Sequence, residues 1–396
     1  MRILVNMTFL WPKDKLTMFY GFSVDIIKFV QAIPEEHVKN YILLFNKDSE
    51  VEMHALFPHF KYACVDQPFN TSNASSNTIK KIYGIIENRR ALKKFLNSCE
   101  ADVFFNHLNT DYITWFKSKI PYVSMIHDLT LLKIGPKGIR GFLQNKFLSA
   151  YYRFKIKNCS RVICISDFTR NDVVNYFELS NKDTKKLITI HNVVEEIESS
   201  KAPVGYDFTQ KYILCVNGIR KCKNIVTLVK AFALLKDKTD LNLMLVGSLN
   251  EKPYWENEVL PLIKDKGLNE RVYRLEYLER EELRYVYEKA ELFVTTSLNE
   301  GFGNTPIEAA YYRCPVVCSR CDSLPEVTMG LVNYYDPPTD ATQLSEVIIN
   351  ILKHKPKEND LIDISNKFKT AYSSSKRIAA IENVFASVYK GEYNNM

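Results

Sequence analysis

Two glutamates stand on either side of a glycine-containing loop in the segment SLNEGFGNTPIEA. Glu300 directly precedes Gly301-Phe302-Gly303. Glu308 comes eight positions after Glu300, near the start of a predicted helix. Glycine lets a backbone approach a ligand closely, and the N–H groups that begin a helix bind anions. A carboxylate accepts two sugar or ribose hydroxyls at once. The segment therefore predicts a site for a diphosphate joined to sugars.

The same residues allow a structural interpretation. Thr305-Pro306-Ile307-Glu308 fits a capping box, with Thr305 as the N-cap and Pro306 at the first helical position. Glu308 would then only close the start of the helix. A capping box does not explain Glu300 at the end of a strand, and this favours the functional interpretation.

Further candidate residues follow two other predicted strands. Arg220 and Lys223 come after the strand Tyr212–Asn217, where two cations would stabilise a leaving group that gains negative charge. His127 follows the strand Tyr122–Ile126. The alternatives are an exposed basic loop for the two cations and a structural histidine at a strand end.

These motifs resemble, in kind and in order, those of the retaining GT-B glycosyltransferases of family 4. The run E-G-F-G-x-x-P-x-E-A, followed by C-P-V-V, resembles the E-x7-E signature of that family. KYILCVNGIRKCKNIVTLVKAFALL resembles its strand, loop and helix that bind the donor diphosphate, and MIHDL its H-D-L segment. VICISDFTRN, TIHNV and LPEV also match, so the resemblance covers most of residues 120–340.

The resemblance implies a role for each matching residue. Glu300 corresponds to the residue that holds the donor sugar, Glu308 to the one that holds the nucleotide ribose, and His127 to one that bonds the sugar from across the cleft. Asn304 and Thr305 correspond to positions whose backbone amides meet the diphosphate.

Arg220 and Lys223 match the two cations that the family uses for the donor diphosphate. The family usually has glycine where Asn217 stands, so that Gly218 is displaced by one position, and Cys222 occupies a place often held by arginine. The match of Lys223 is accordingly clearer than that of Arg220.

The elements that must position these residues form two successive series of strands and helices, typical of parallel α/β architecture. The polar stretch 195–207, EEIESSKAPVGYD, separates them. With the resemblance, this predicts a GT-B fold: two doubly wound, Rossmann-like parallel-sheet domains facing a cleft. We expect an acceptor-binding domain at residues 1–195 and a donor domain at residues 205–375. We also expect a final helix at residues 376–396 that crosses back to the first domain. A surface loop is predicted for residues 68–77.

Composition favours a globular, cytoplasmic protein. Of 396 residues, 46% are hydrophobic and 25% charged, and no apolar run approaches the roughly 20 residues that span a bilayer. Nine cysteines without a paired framework fit a reducing compartment. Cys314, Cys318 and Cys321 lack a nearby fourth ligand and are interpreted as buried thiols rather than a metal site.

The positive charge is concentrated in the first half of the chain. Residues 1–200 hold 27 Lys and Arg against 20 Asp and Glu, whereas the rest is balanced. Residues 131–161 carry eight cations and no acid among interleaved aromatic residues, and residues 80–94 form a second cluster. Such a surface fits an anionic membrane. The alternative is a helix that packs its aromatic residues on the sheet. No nucleic-acid-binding motif accompanies the charge.

Together these features predict an enzyme that transfers a hexose, with mannose as the first choice, from a GDP- or UDP-linked donor. The anomeric configuration would be retained, and neither metal nor cofactor would be needed. The acceptor would be a hydroxyl of a glycan or lipid-linked glycan in bacterial O-antigen or capsule assembly, at the inner face of the plasma membrane. Two alternatives remain open: another GT-B enzyme, such as a sugar-nucleotide epimerase, and a non-catalytic binding protein of the same fold.

Overall fold

A computed structural model describes residues 1–10, 22–67, 78–109, 111–133 and 138–392. The chain divides into two compact units, one formed by Met1–Asn192 with Ser374–Met396 and the other by Val193–Ser373. The predicted loop at residues 68–77 lies outside the described residues. Within the described parts, no helix is long and apolar enough to span a membrane.

The first unit is built on a parallel sheet of short apolar strands. They are β1 (Ile3–Asn6), β2 (Tyr41–Asn46), β3 (Lys61–Val65), β4 (Val103–Asn106), β5 (Tyr122–Ile126), β6 (Arg161–Cys164) and β7 (Leu187–Thr189). Their order is β3-β2-β1-β4-β5-β6-β7, and every pairing is parallel. Every residue of β1, β4, β5 and β6 is buried, as in a sheet covered on both faces.

Helices connect these strands. They are α1 (Phe22–Gln31), α2 (Glu35–Val38), α3 (Glu50–Leu56), α4 (Thr78–Ser98), α5 (Thr130–Lys133), α6 (Gly138–Asn158), α7 (Asp167–Phe177) and α8 (Asn181–Thr184). Since α6 joins β5 to its parallel neighbour β6, it returns the chain from the carboxyl edge of the sheet to the amino edge.

The second unit contains the other parallel sheet. Its strands are β8 (Tyr212–Val216), β9 (Asn242–Val246), β10 (Val272–Leu275), β11 (Leu292–Thr295), β12 (Val316–Ser319) and β13 (Asn333–Tyr335). The order β10-β9-β8-β11-β12-β13 reverses direction at β8, which therefore lies beside both β9 and β11. The prediction of two doubly wound parallel sheets is confirmed. Ligands bind at such reversal points, outside the carboxyl ends of the strands.

Helices cover this sheet as well. They are α9 (Ile225–Ala233), α10 (Lys252–Tyr254), α11 (Leu260–Asp265), α12 (Arg280–Lys289), α13 (Asn304–Tyr311), α14 (Leu324–Val327), α15 (Ala341–Lys353) and α16 (Glu358–Ala371). The apolar residues Ile225, Leu228, Val229 and Phe232 of α9 are buried, and they form much of the core of the unit.

A last helix, α17 (Ser374–Tyr389), belongs to the first unit. Phe385 packs against Phe105 of β4 with ring centroids 5.2 Å apart. The guanidinium of the buried Arg377 donates two hydrogen bonds, of 2.5 and 2.6 Å, to the carboxylate of Asp25 on α1. Two ionic hydrogen bonds and an aromatic contact thus attach the end of the chain to the first sheet.

Candidate active site

A buried ion pair lies at the carboxyl edge of the second sheet. Lys223 comes from the loop after β8 and Glu300 from the loop after β11, and β8 and β11 are neighbours. The Lys223 Nζ lies 2.5 Å from Glu300 Oε1, and the two side chains are only 20% and 14% exposed. Ser297 Oγ donates a hydrogen bond of 2.8 Å to the same carboxylate oxygen. Topology therefore brings together two residues that the sequence places 77 positions apart.

Lys223 keeps its positive charge at neutral pH. Burial lowers the pKa of Lys223, but the charge and hydrogen bond of Glu300 outweigh this effect and raise the pKa above its ordinary value. Within the described chain, Glu300 Oε2 has no hydrogen-bond donor. The site therefore presents one carboxylate oxygen and a lysine with further N–H groups to a ligand.

The loop that carries Lys223 is tied to the end of β11. Thr296 Oγ1 donates to the carbonyl oxygens of Lys223 and Asn224, at 2.9 and 3.1 Å. The Leu298 N–H donates to the carbonyl of Cys222 at 2.7 Å. These bonds hold the two loops side by side, so that the ion pair does not depend on its own attraction alone.

The loop that carries Glu300 is held from the end of the next strand, β12. The Asp322 carboxylate accepts the backbone N–H of Glu300 at 3.0 Å, and the Ser323 hydroxyl donates to the carbonyls of Glu300 and Phe302. Neither of these two supporting residues was predicted from the sequence. The only signal was the nearby family match at residues 324–327.

The glycine loop leads directly into α13. Gly303 has φ +95°, and a Cβ at this position would lie 2.5 Å from a methyl carbon of Leu324, so both conformation and space require glycine. The helix begins at Asn304 with Gly303 as its N-cap. The prediction that Thr305 is the N-cap is therefore wrong. The first N–H groups of α13, at Asn304 and Thr305, have no carbonyl of a preceding helical turn to bind and suit an anion.

Glu308 projects from the second turn of α13. The Tyr287 hydroxyl on α12 donates a hydrogen bond of 2.8 Å to Glu308 Oε2. Burial and the Glu308 charge raise the pKa of Tyr287 well above its ordinary value, so the hydroxyl keeps its proton. Because the N-cap residue of α13 is a glycine, which has no side chain to bond the first turn, the capping-box interpretation is wrong. Tyr287, which orients the carboxylate, had no sequence signal.

Arg220 is an exposed cation of the loop after β8. Within the described residues its guanidinium has no ion-pair or hydrogen-bond partner. Next to it, a Cβ at Gly218 would lie 2.1 Å from the Asn250 side-chain oxygen. Asn217 instead points its amide towards Thr295 Oγ1, at 3.4 Å. The displaced glycine thus accommodates the loop after β9.

His127 lies in the first unit, immediately after β5, and is buried. Its backbone N–H donates to Asn109 Oδ1 at 3.1 Å, and its Nε2 lies 2.9 Å from the carbonyl oxygen of His107. Burial lowers the pKa of His127, despite the attraction of Asp25 and the backbone hydrogen bond. The imidazole is therefore neutral at neutral pH, with Nε2–H donating to the carbonyl.

Comparison with known families identifies the chain. The sequence profile described as "Glycosyl transferases group 1" matches residues 196–368, and the profile described as "Glycosyltransferase Family 4" matches residues 61–196. The chain belongs to the family 4 glycosyltransferases. The two matches meet at residue 196, close to the boundary between the two units. The E-x7-E segment lies inside the match to "Glycosyl transferases group 1".

Two curated relatives are similar in sequence to this family 4 chain. The "O-antigen chain mannosyltransferase B" of Escherichia coli is 31% identical over 240 residues, which are 58% of this chain and 61% of that enzyme. A Campylobacter jejuni enzyme is 31% identical over 183 residues, which are 45% of this chain and 47% of that enzyme. Its name is "N-acetylgalactosamine-N,N'-diacetylbacillosaminyl-diphospho-undecaprenol 4-alpha-N-acetylgalactosaminyltransferase". The aligned segment thus spans about half to three fifths of these relatives.

A solved structure shows the same fold. Alr3699/HepE of Anabaena, in complex with UDP and glucose, has a TM-score of 0.68 with 13% sequence identity, over 98% of this chain and 100% of that one. This agreement supports the GT-B architecture predicted for the family 4 chain.

One lysine of the basic stretch at residues 131–161 is buried and does not contribute to a basic surface. Lys155 is 2% exposed, and its Nζ donates to three backbone carbonyls, of Leu108, Asn109 and Met125, at 2.8, 3.0 and 2.7 Å. Burial lowers its pKa to about 8. Because Asn109 also holds His127, this lysine is a positioning residue beneath the histidine.

The aromatic residues of α6 are divided between the core and the surface. Tyr151 and Tyr152 are buried, whereas Phe142 and Leu143 are 60% and 61% exposed. The packing alternative therefore holds for the last turns of the helix, and contact of its first turns with an anionic membrane stays a prediction.

The nine cysteines are free thiols. Cys314, Cys318 and Cys321 are buried, and burial raises the pKa of each. Among the described residues, no group of three or more His, Cys, Asp or Glu side chains is placed to hold a metal ion.

Proposed function

We propose that this protein is a retaining glycosyltransferase that moves a hexose from a nucleoside diphosphate sugar to a hydroxyl of a glycan or lipid-linked glycan in bacterial surface polysaccharide assembly. The ion pair between Lys223 and Glu300 carries the proposal. It stands beside the start of α13 at the reversal point of the second sheet. In this proposal the cation and the helix N–H groups bind the diphosphate, and the neighbouring carboxylate binds the sugar.

The diphosphate binds between the two cations and the start of α13. Lys223 has N–H groups beyond the one used by Glu300, and the exposed Arg220 has its whole guanidinium available. The backbone N–H groups of Asn304 and Thr305 complete this anion site. As the glycosidic bond breaks, the diphosphate gains charge, and these fixed donors stabilise it in the role that a divalent metal has in other transferases.

The sugar and ribose hydroxyls bind to carboxylates. Glu300 Oε2 accepts hydroxyls of the donor hexose, while its Oε1 remains bonded to Lys223 and Ser297. Glu308, oriented by Tyr287, accepts the ribose hydroxyls. Gly301, Phe302 and Gly303 carry the backbone past the donor. The neutral His127 contributes a further hydrogen bond to the sugar.

The reaction replaces one bond at the anomeric carbon by another on the same face of the ring. The bond from carbon to the diphosphate oxygen breaks as the acceptor oxygen bonds to the carbon. The acceptor proton passes to the departing phosphate oxygen. The departing phosphate thus acts as the base, and the residues of the diphosphate site hold that phosphate in place.

The donor and acceptor are proposed from the relatives. The Escherichia coli relative is named a mannosyltransferase, which makes GDP-mannose the first candidate, whereas the Anabaena neighbour binds UDP and keeps UDP sugars as the second. The Campylobacter relative is named for a polyprenyl-diphosphate acceptor, which supports a lipid-linked glycan. The exposed Phe142 and Leu143 would approach an anionic membrane, and the basic composition of residues 131–161 and 80–94 supports this contact.

A thermal-shift screen against UDP, GDP, CDP, ADP and dTDP, with and without Mg²⁺, tests the donor site. A ligand that binds only the folded state raises the melting temperature according to its affinity. We expect one diphosphate to stabilise the protein without Mg²⁺, and the effect to disappear in Lys223→Ala. Lys221→Ala is the matched control, because this exposed lysine of the same loop pairs with Glu258 instead. No response to any of the five, or an equal response in Lys223→Ala, would refute the assignment.

A further inference from the structure

A strongly basic pocket lies at the amino edge of the first sheet, opposite the edge that carries His127. Three chain segments form it: residues 117–122 before β5, residues 157–161 between α6 and β6, and residues 182–186 before β7. Its volume is about 400 Å³, within the range of roughly 300–1,000 Å³ typical of small-molecule sites. The family assignment gives this edge of the sheet no role.

Seven lysine and arginine residues line the pocket, and none of the described residues that line it is acidic. Two of the cations have structural roles. Lys186 Nζ donates to the carbonyls of Ile156 and Lys157 at the end of α6, and pairs with Asp183 at 3.2 Å. The buried Arg161 donates to the carbonyl of Lys185 at 3.1 Å. These two residues form the floor.

Four exposed lysines at the rim have no such role. Lys117, Lys119, Lys157 and Lys182 make no ion pair or side-chain hydrogen bond with any described residue. Cations near a helix C-terminus stabilise its dipole, and Lys186 already does so for α6. Like charges around one cavity repel each other, and this repulsion is relieved only by a bound anion or by solvent ions.

We propose that this pocket binds a phosphate-bearing anion. Ammonium groups on three separate segments surround the cavity and would each donate a charge-assisted hydrogen bond to phosphate oxygens. The pocket also accounts for much of the charge asymmetry of the sequence, since its seven cations belong to the half of the chain that holds the whole positive excess.

The pocket is separate from the exposed apolar surface of α6. Phe142 and Leu143 lie in the first turns of that helix and Lys157 in the last. A 21-residue helix is about 30 Å long, so an apolar contact at its start leaves the pocket free for another ligand. The phosphate belongs either to a small soluble anion or to a lipid headgroup, and experiment can distinguish these sources.

The test is lysine footprinting of the full-length protein. An acylating reagent modifies exposed lysines, and mass spectrometry gives the rate at each one. Pyrophosphate is added in one arm, vesicles of phosphatidylglycerol in a second, and phosphatidylcholine vesicles and sodium chloride of equal ionic strength serve as controls. Lys236 and Lys264, exposed in the second unit, are reference lysines. The modification rate of Lys223 is measured separately, so that pyrophosphate bound at the proposed donor site is distinguished from pyrophosphate bound in this pocket.

We expect at least fivefold slower modification of the four rim lysines with pyrophosphate, or with phosphatidylglycerol vesicles if a headgroup is the ligand. In the variant Lys119→Gln/Lys182→Gln, the same protection of Lys117 and Lys157 should need about a tenfold higher ligand concentration. In the control Lys236→Gln/Lys264→Gln, the concentration needed should be unchanged. Less than twofold protection in both arms, or equal protection of the reference lysines, overturns the proposal. Loss of protection at Lys223 alone would instead bear on the donor site.

Discussion

The most informative perturbation is the removal of one charge from the pair at the carboxyl edge of the second sheet. Glu300→Gln keeps the shape of the side chain but removes the negative charge that pairs with Lys223. The Lys223 side chain is only 20% exposed, so water replaces little of the lost interaction. Breaking a pair this buried costs about 3 kcal/mol. For a domain of this size, 1 kcal/mol corresponds to about 2–4 °C in Tm, so we expect the unliganded variant to melt about 6–12 °C lower.

The same change should affect ligand binding in the opposite direction. A nucleoside diphosphate replaces the lost negative charge beside Lys223, so its stabilising shift should be at least as large in Glu300→Gln as in the wild type, while sugar transfer is lost. The matched control is Glu258→Gln, which breaks the exposed pair with Lys221 in the same loop and should cost less than about 1 kcal/mol. An unchanged Tm in Glu300→Gln, or a loss of the nucleotide shift, would refute this reasoning.

Three further predictions concern residues that support the two sheets. Lys155→Met should lower the free energy of unfolding by about 3 kcal/mol, because three carbonyls lose their hydrogen-bond donor; urea titration measures this. The same variant should transfer sugar more slowly but bind nucleotide as the wild type does, which a thermal-shift assay checks. Gly303→Ala should abolish the nucleotide-induced shift, because φ is +95° and Leu324 leaves no room; a normal shift would contradict it. Burial raises the pKa of Asp25, but Arg377 outweighs this and holds it well below its usual range. Asp25→Asn should therefore be less stable than the wild type at pH 7. The difference should shrink as pH falls below about 4, because the Asp25 carboxylate of the unfolded chain takes up a proton there while the native one stays ionised; a constant difference in acid-unfolding curves would be inconsistent with the pair.

The strands Tyr122–Ile126 and Tyr212–Asn217, which lead to candidate residues, could be predicted almost to the residue, because each is a short apolar run. Two strands were not predicted. β3 and β13 lie at the sheet edges, where one side lacks a partner strand and exposed residues mix with buried ones. Their sequences, KYACV and NYY, consequently lack the continuous apolar pattern of the central strands.

The candidate site could be predicted only for the residues within recognisable motifs. Asp322, Ser323 and Tyr287 support Glu300 and Glu308 from other strands and helices, and spacing in the sequence does not reveal such long-range hydrogen bonds. Lys155 was grouped with surface cations for a related reason. Its burial depends on three carbonyls contributed by two distant strand ends, which composition does not show.

The central claim is that Lys223 and Glu300 form the donor site of a glycosyltransferase. Its most direct test is the release of nucleoside diphosphate from GDP-mannose and from UDP sugars, with and without a lipid-linked glycan extract. The account predicts acceptor-dependent release from one donor by the wild type and Lys221→Ala, and at least about a hundredfold slower release by Lys223→Ala and Glu300→Gln. Release that needs no acceptor, with an altered free sugar, would indicate an epimerase. Equal rates in Lys223→Ala and the wild type would contradict the account.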